Sequence, residues 1–202
     1  PPGTGKTSIM LRTLSKYLID HSDDQILLLG YTNRAVDEIC EALDSVGLDF
    51  LRIGSRYTAQ KKFWKHFLDE QANNIERRSD FKNLLVSNRI IVGTLSSING
   101  KSELFQIKTF DWVIVDEASQ ILEPMLAGIL TKIKKWVLIG DHKQMPAVVV
   151  QRQEHSSTSS TDLKQIGLIN LRNSLFERMM NQCKEKKYEW AYDILREQGR
   201  MH

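Results

Sequence analysis

The chain has 202 residues, 41% hydrophobic and 26% charged, which is the balance of an ordinary globular protein, and its length allows a sizeable core with room for an insertion. No apolar run approaches the roughly 20 residues of a membrane span, and no signal peptide is visible, so the sequence gives no sign of a membrane protein. The net charge of +3 mixes both signs and favours a solvated surface, and the two cysteines fit neither a disulfide framework nor a metal site, so an intracellular setting is expected.

The first seven residues, PPGTGKT, match a phosphate-binding loop from which only the leading glycine is absent. The small residues Gly3, Thr4 and Gly5 would let backbone N–H groups curl around a phosphate, and the following helix would add its positive end. Lys6 would reach the β- and γ-phosphates of a nucleotide, and the Thr7 hydroxyl would bind Mg²⁺. The alternative is a Gly/Pro-rich N-terminal tail.

Short apolar strands alternate with helical segments along most of the chain. Strands are predicted at Gln25–Tyr31, Phe50–Ile53, Arg89–Val92, Trp112–Val115 and Trp136–Ile139. Helices are predicted at Ser8–Asp20, Arg34–Val46, Pro124–Ile133, Ser174–Met180 and Glu189–Arg196. This alternation predicts an α/β fold in which helices cover both faces of a parallel sheet.

Two stretches interrupt the alternation. Residues 57–83 are helical in propensity and rich in charge, and they predict a helical insertion at the edge of the domain. Residues 151–167 contain HSSTSST and predict a flexible Ser/Thr-rich loop. The remainder of residues 1–202 is expected to form one domain.

Two acids directly follow the predicted strand Trp112–Val115. Asp116 and Glu117 would lie at the carboxyl edge of the parallel sheet, where such folds bind ligands. Asp116 could hold Mg²⁺, and Glu117 could orient and deprotonate an attacking water. A solvated strand end explains the pair equally well by itself, but the phosphate loop favours the chemical interpretation.

Polar residues also follow three other predicted strands. Gln144 follows the last strand and could sense a γ-phosphate or orient water, or be an ordinary loop glutamine. Thr32, Asn33 and Thr94 stand at predicted helix starts, where each could cap the helix or hold a nucleic-acid phosphate. Tyr31 could stack on a base or fill the interior.

The order of these motifs resembles the first RecA-like motor domain of superfamily 1 helicases, a group of P-loop NTPases. The matching stretches are PPGTGKT, YTNRAVDEI, VGTLSS, VIVDEASQ, LIGDHKQMPAVV, SLFERMM and LREQGRMH. The DEAS and QxRMH forms resemble the branch that contains the nonsense-mediated-decay helicase and the helicase-nucleases. The resemblance spans nearly all of the chain and is weakest at residues 57–83 and 151–167.

The resemblance implies an enzyme that hydrolyses ATP with Mg²⁺ to move along single-stranded DNA or RNA. In such an enzyme Lys6 and Thr7 would bind phosphate and Mg²⁺, and Asp116 would hold the metal. Glu117 would be the general base. These roles coincide with those that the residue types suggest by themselves.

The resemblance also implies roles for residues outside the phosphate loop and the acidic pair. Gln144 would couple the γ-phosphate to nucleic acid, and Arg200 would contact the γ-phosphate. Thr32, Asn33 and Thr94 would contact the backbone of the nucleic-acid strand.

Three residues depart from the pattern of the family. Met145 and Ala147 replace a leucine and a proline that are common in the fifth motif. Gly199 replaces a tyrosine that would stack on the nucleotide base, which weakens the expectation of a preference for adenine. Because both ends of the sequence fall inside motifs, the chain is expected to be a fragment that lacks the second RecA-like domain.

Two other classes of protein compete with a helicase motor. One is a nucleotide-switched nucleic-acid-binding module without unwinding activity, and the other is a metabolic P-loop enzyme such as a small-molecule kinase. The complete set of phosphate-loop and acidic residues argues against a degenerate module. The stretches YTNRAVDEI and QGRMH have no reason to occur in a kinase.

Overall fold

The computed structural model describes residues 3–141, 147, 149–150 and 152–197. Within these ranges five parallel strands form one sheet: β1 (Ile26–Gly30), β2 (Leu51–Ile53), β3 (Ile90–Thr94), β4 (Trp112–Val115) and β5 (Lys135–Leu138). Their order across the sheet is β2-β3-β1-β4-β5. The parallel sheet and all five predicted strands are confirmed, with small differences at the strand ends.

The helices lie mainly between the strands. They are α1 (Arg12–His21), α2 (Asn33–Asp44), α3 (Leu68–Ala72), α4 (Arg78–Ser87), α5 (Leu95–Asn99), α6 (Leu104–Ile107), α7 (Glu123–Leu130), α8 (Thr161–Gln165) and α9 (Leu175–Glu185). A π-helical turn at Lys6–Leu11 leads into α1. None of the helices in the described ranges combines the length and the apolar character needed to cross a membrane.

The helix predicted at Glu189–Arg196 is wrong. Only a 3₁₀ turn forms there, at Glu189–Ala191. Trp190 is 86% exposed and Ile194 is 49% exposed, so the apolar side chains of this segment pack against little of the domain. A short helix gains most of its stability from packing an apolar face, and this segment buries little apolar surface.

Helices cover both faces of the sheet, as the sequence predicts. Side chains alternate along β1, so that Leu27 and Leu29 join one core and Ile26 and Leu28 join the other. The first core contains apolar side chains of α5, α7 and α9, and the second contains those of α1 and α2. Because β1 is buried on both sides, it needs the continuous apolar run that the sequence provides.

Residues 56–87 cover the β2 edge of the sheet. They form 3₁₀ turns at Arg56–Thr58 and Lys61–His66, followed by α3 and α4. An isolated parallel bridge joins Phe67 to Arg52 of β2, so this segment occupies a strand edge that would otherwise be open.

A buried ion pair ties these residues to α2. The Arg52 guanidinium donates to the Asp37 carboxylate and lies 4.9 Å from the centre of the Phe67 ring. The second Asp37 carboxylate oxygen accepts the Gln60 N–H at 3.2 Å. Asp37 and Arg52 are only 6% and 2% exposed, so this carboxylate joins α2, β2 and the covering segment in the interior.

Replacing Asp37 by alanine is expected to lower the free energy of unfolding by about 3–5 kcal/mol, because it leaves a buried guanidinium without its partner. Urea unfolding would measure the loss. Glu41→Ala on the same helix is the matched control, since the Glu41–Lys62 pair is exposed and such pairs contribute about 0–1 kcal/mol. Equal losses in the two variants would contradict a stabilising role for the buried pair.

Candidate functional site

The carboxyl ends of the parallel strands meet at one edge of the sheet, where ligands bind in folds of this kind. Tyr31 and Thr32 follow β1, Thr94 ends β3, and Asp116 follows β4. The structure therefore gathers the predicted site residues of three strands at this edge. Gln144 and Arg200, two further predicted site residues, lie outside the described residues, as do Met145 and Gly199.

The phosphate-loop residues turn tightly into the first helix. Gly3 and Gly5 both have φ of +71°, a left-handed conformation that glycine adopts without strain. A Cβ atom on Gly5 would also lie 2.7 Å from the Ile9 side chain. Thr4 between them is buried, and Lys6 begins the π-helical turn. The glycines of the motif are thus required by the backbone of the loop itself.

A side-chain hydrogen bond joins the phosphate loop to the acidic pair. The Thr7 hydroxyl donates to one carboxylate oxygen of Asp116, although the two residues are 109 positions apart in sequence. The other carboxylate oxygen accepts the Glu117 N–H at 3.0 Å. The two residues predicted from separate motifs to bind Mg²⁺ therefore lie in direct contact.

The environment of Asp116 fits a bound cation. Its side chain is 2% exposed, and this burial raises the pKa of the carboxyl group, while the Thr7 hydroxyl and the Glu117 N–H oppose the shift. A nearby cation would favour the charged carboxylate in such a buried place. Carboxylate and hydroxyl oxygens are also the ligands that Mg²⁺ prefers, so the donor set fits that metal.

The environment of Glu117 is compatible with the general base that the sequence predicts. Burial and, next, the negative charge of Asp116 raise its pKa, and the charges of Arg34 and Lys6 oppose this shift. A carboxylate with a raised pKa accepts a proton more readily near neutral pH. Its φ of +53° is unusual for a residue other than glycine, and such backbone strain concentrates at functional sites.

The segment after Glu117 packs closely against the end of β5. The Ser119 hydroxyl accepts the Asp141 N–H at 3.2 Å, and a Cβ atom on Gly140 would lie 2.9 Å from the Ser119 nitrogen. Sequence reasoning did not single out Ser119, although its place in the DEAS stretch was a usable signal. This contact connects the acidic pair to the polypeptide that leads toward Gln144.

The threonines predicted at helix starts are caps. Thr32 Oγ1 accepts the Ala35 N–H at 3.1 Å, and Thr94 Oγ1 accepts the Ser97 N–H at 3.1 Å. The capping alternative is thus confirmed for both, whereas their contact with nucleic acid stays a prediction. Thr94 is only 8% exposed, but Thr32 and Asn33 are exposed at the start of α2. Tyr31 is half-buried and packs against one core.

Comparison with known proteins gives matches over most of the chain. A family model described as an AAA domain matches residues 55–152. The "DNA replication ATP-dependent helicase/nuclease DNA2" of Mus musculus is 34% identical over 164 residues, which cover 80% of this chain and 15% of that protein. The "DNA replication ATP-dependent helicase/nuclease JHS1" of Arabidopsis thaliana is 34% identical over 200 residues, which cover 99% of this chain and 13% of that protein.

A solved structure resembles the chain more distantly. The arterivirus nonstructural protein 10 (helicase) in complex with DNA has a TM-score of 0.44 and 23% identity, and the match covers 73% of this chain and 28% of that one. The chain spans about one seventh of the length of the curated relatives it matches. The chain is thus similar in sequence to one part of ATP-dependent helicase/nucleases, and its parallel sheet with helices on both faces is the α/β architecture of a P-loop NTPase.

Proposed function

We propose that this chain is the first motor domain of an ATP-dependent translocase that moves along single-stranded nucleic acid. The contact between Thr7 and Asp116 carries the proposal, because it joins a phosphate-binding loop to a carboxylate suited to Mg²⁺. The names of the relatives favour DNA as the strand and support the branch of helicase-nucleases. A second RecA-like domain elsewhere in the full-length protein and an intracellular setting belong to the same proposal.

The nucleotide site would hold ATP with Mg²⁺. Backbone N–H groups of the phosphate loop and the Lys6 ammonium would bind the phosphates, and Thr7 and Asp116 would hold the metal. Bound Mg²⁺ would neutralise charge that develops on the phosphoryl oxygens. Glu117 would take a proton from the attacking water at its carboxylate oxygen. Gln144 and Arg200 would complete the γ-phosphate contacts.

The strand would cross the neighbouring edge of the sheet. Exposed Thr32 and Asn33 lie at the start of the twelve-residue helix α2, whose backbone N–H groups and dipole favour a phosphate. Thr94, at the end of the neighbouring strand β3, would contact the nucleic acid through its backbone. Tyr31 would contact it through the exposed part of its ring. Phosphate contacts of this kind hold the strand without reading its sequence.

The test is the ATP hydrolysis rate of the full-length protein with and without single-stranded oligonucleotides. We expect the strand to raise the rate, and Lys6→Ala to weaken ATP binding about 10–100-fold because it removes a charged donor to the phosphates. Lys16→Ala is the matched control, since Lys16 is an exposed lysine of α1 that pairs with Asp20. Nucleotide affinity would be measured by equilibrium titration.

The competing function is a nucleotide-switched binding module. It predicts that ATP changes the strand affinity while the strand leaves the hydrolysis rate unchanged. Unaltered ATP affinity in Lys6→Ala would contradict the nucleotide site itself.

A further inference from the structure

An exposed aromatic ring stands beside a cation just after β2. Tyr57 follows Gly54 and Ser55 at the carboxyl end of this strand and is 78% exposed. Most of its surface is therefore accessible to a ligand. Neither the nucleotide site nor the two helix caps use this residue.

Neighbouring side chains hold the Tyr57 ring in place. The Arg56 guanidinium carbon lies 5.2 Å from the centre of the Tyr57 ring and 5.6 Å from that of Trp64. Arg56 also donates to the Tyr57 hydroxyl at 3.4 Å and forms an ion pair with Glu70. The two rings meet edge to face, with centres 6.5 Å apart and planes at 76°. The Tyr57 side chain is therefore exposed but held in one orientation. It loses less conformational entropy when a ligand stacks on it.

The segment that leads into Tyr57 leaves β2 at the same edge of the sheet as the proposed strand contacts. Neighbouring strands are about 4.8 Å apart, so the end of β2 lies about 10 Å from the end of β1, with β3 between them. Gly54 approaches the α5 helix so closely that a Cβ atom there would lie 3.2 Å from Ser97 Oγ. Ser97 is hydrogen-bonded to Thr94. The chain that leads into Tyr57 therefore packs against the start of α5, directly after β3.

We propose that Tyr57 is a base-stacking platform, which extends the nucleic-acid path from the ends of β1 and β3 to the end of β2. The proposal rests on the proposed function, since the ligand is the same single strand. An aromatic face stacks on any base, which suits a translocase that moves along varied sequence. The Arg56 guanidinium beside the ring favours a phosphate, although its ion pair with Glu70 offsets part of that charge.

The test compares strand binding by variants of the full-length protein. Fluorescence anisotropy with a labelled oligothymidine should show about tenfold weaker binding for Tyr57→Ala, within the range for loss of one stacked base. Tyr57→Phe keeps the ring and should bind like the wild type. Tyr17→Ala is the matched control, because Tyr17 is 58% exposed on α1 and stacks on His21.

An abasic strand of equal length separates stacking from charge. On that strand Tyr57→Ala and the wild type should bind equally, and the salt dependence should be the same for both, since no phosphate contact is lost. Two results would overturn the platform. One is that Tyr57→Ala and Tyr17→Ala bind oligothymidine with equal affinity, and the other is that Tyr57→Ala loses as much affinity for the abasic strand as for oligothymidine. Either result is compatible with ATP hydrolysis that the strand stimulates, so the proposed function would stand. If the wild type neither binds the strand nor hydrolyses ATP faster in its presence, the proposed function is overturned as well.

Discussion

In the full-length protein, Glu117→Gln is expected to lower the rate of ATP hydrolysis by about 10²–10⁴-fold while ATP binding is retained. Glutamine has the same shape but cannot accept the proton of the attacking water. The neighbouring Asp116 cannot substitute, because its carboxylate oxygens are bound by the Thr7 hydroxyl and the Glu117 N–H. Steady-state turnover at saturating ATP and strand would measure the loss.

The control is Glu38→Gln, which neutralises another acid whose charge acts on Glu117. Glu38 lies on α2 in an exposed pair with Arg34, so its loss should change turnover by only a small factor. If Glu117→Gln keeps the turnover of the wild type, the general base is a different residue.

Residues 1–202 by themselves are expected to hydrolyse ATP about 10³–10⁵-fold more slowly than the full-length protein, even with saturating single strand. In the family that this chain resembles, the nucleotide lies between two motor domains, and the second supplies arginines that stabilise the transferring phosphoryl group. An arginine of this kind contributes about that factor to the rate. The chain alone should still bind ATP through Lys6 and the phosphate loop.

Two measurements on the same preparation separate binding from chemistry. Equilibrium titration should find ATP bound by residues 1–202, and steady-state kinetics should find almost no turnover. Rates comparable to those of the full-length protein would show that the hydrolytic site is complete within this chain. The view of the chain as half of a motor would then be wrong.

The central strands could be predicted from sequence because their composition leaves little choice. A run such as Ile26–Gly30 is apolar throughout and too short for a helix, so it forms a strand that is buried on both faces. The segment around Trp190 was mispredicted for the opposite reason. Its helical propensity is real, but propensity without a surface to pack on does not hold a short helix.

The candidate nucleotide site could be proposed from the sequence because its motifs demand particular atoms at fixed spacings. The sequence indicated Thr7 and Asp116 separately, and the fold brings their oxygens into contact. The ion pair of Asp37 and Arg52 could not be predicted, since nothing in the sequence shows that two charges at those positions are buried together. Ser119 was not predicted because its role is to accept a hydrogen bond from the backbone N–H of Asp141, which lies 22 residues further along the chain.

The position of β1 has a consequence for how the protein is made. This strand pairs with β3 on one side and β4 on the other, and both come much later in the chain. At about 5–20 residues per second, a ribosome needs several seconds after completing β1 to produce both partners. Until β3 emerges, the apolar run of β1 has no partner strand in this sheet, and unpaired segments of this composition associate with one another. Of the five described strands, β1 is thus made first and needs partners on both of its edges, which makes it the segment of this sheet that a chaperone would have most reason to hold.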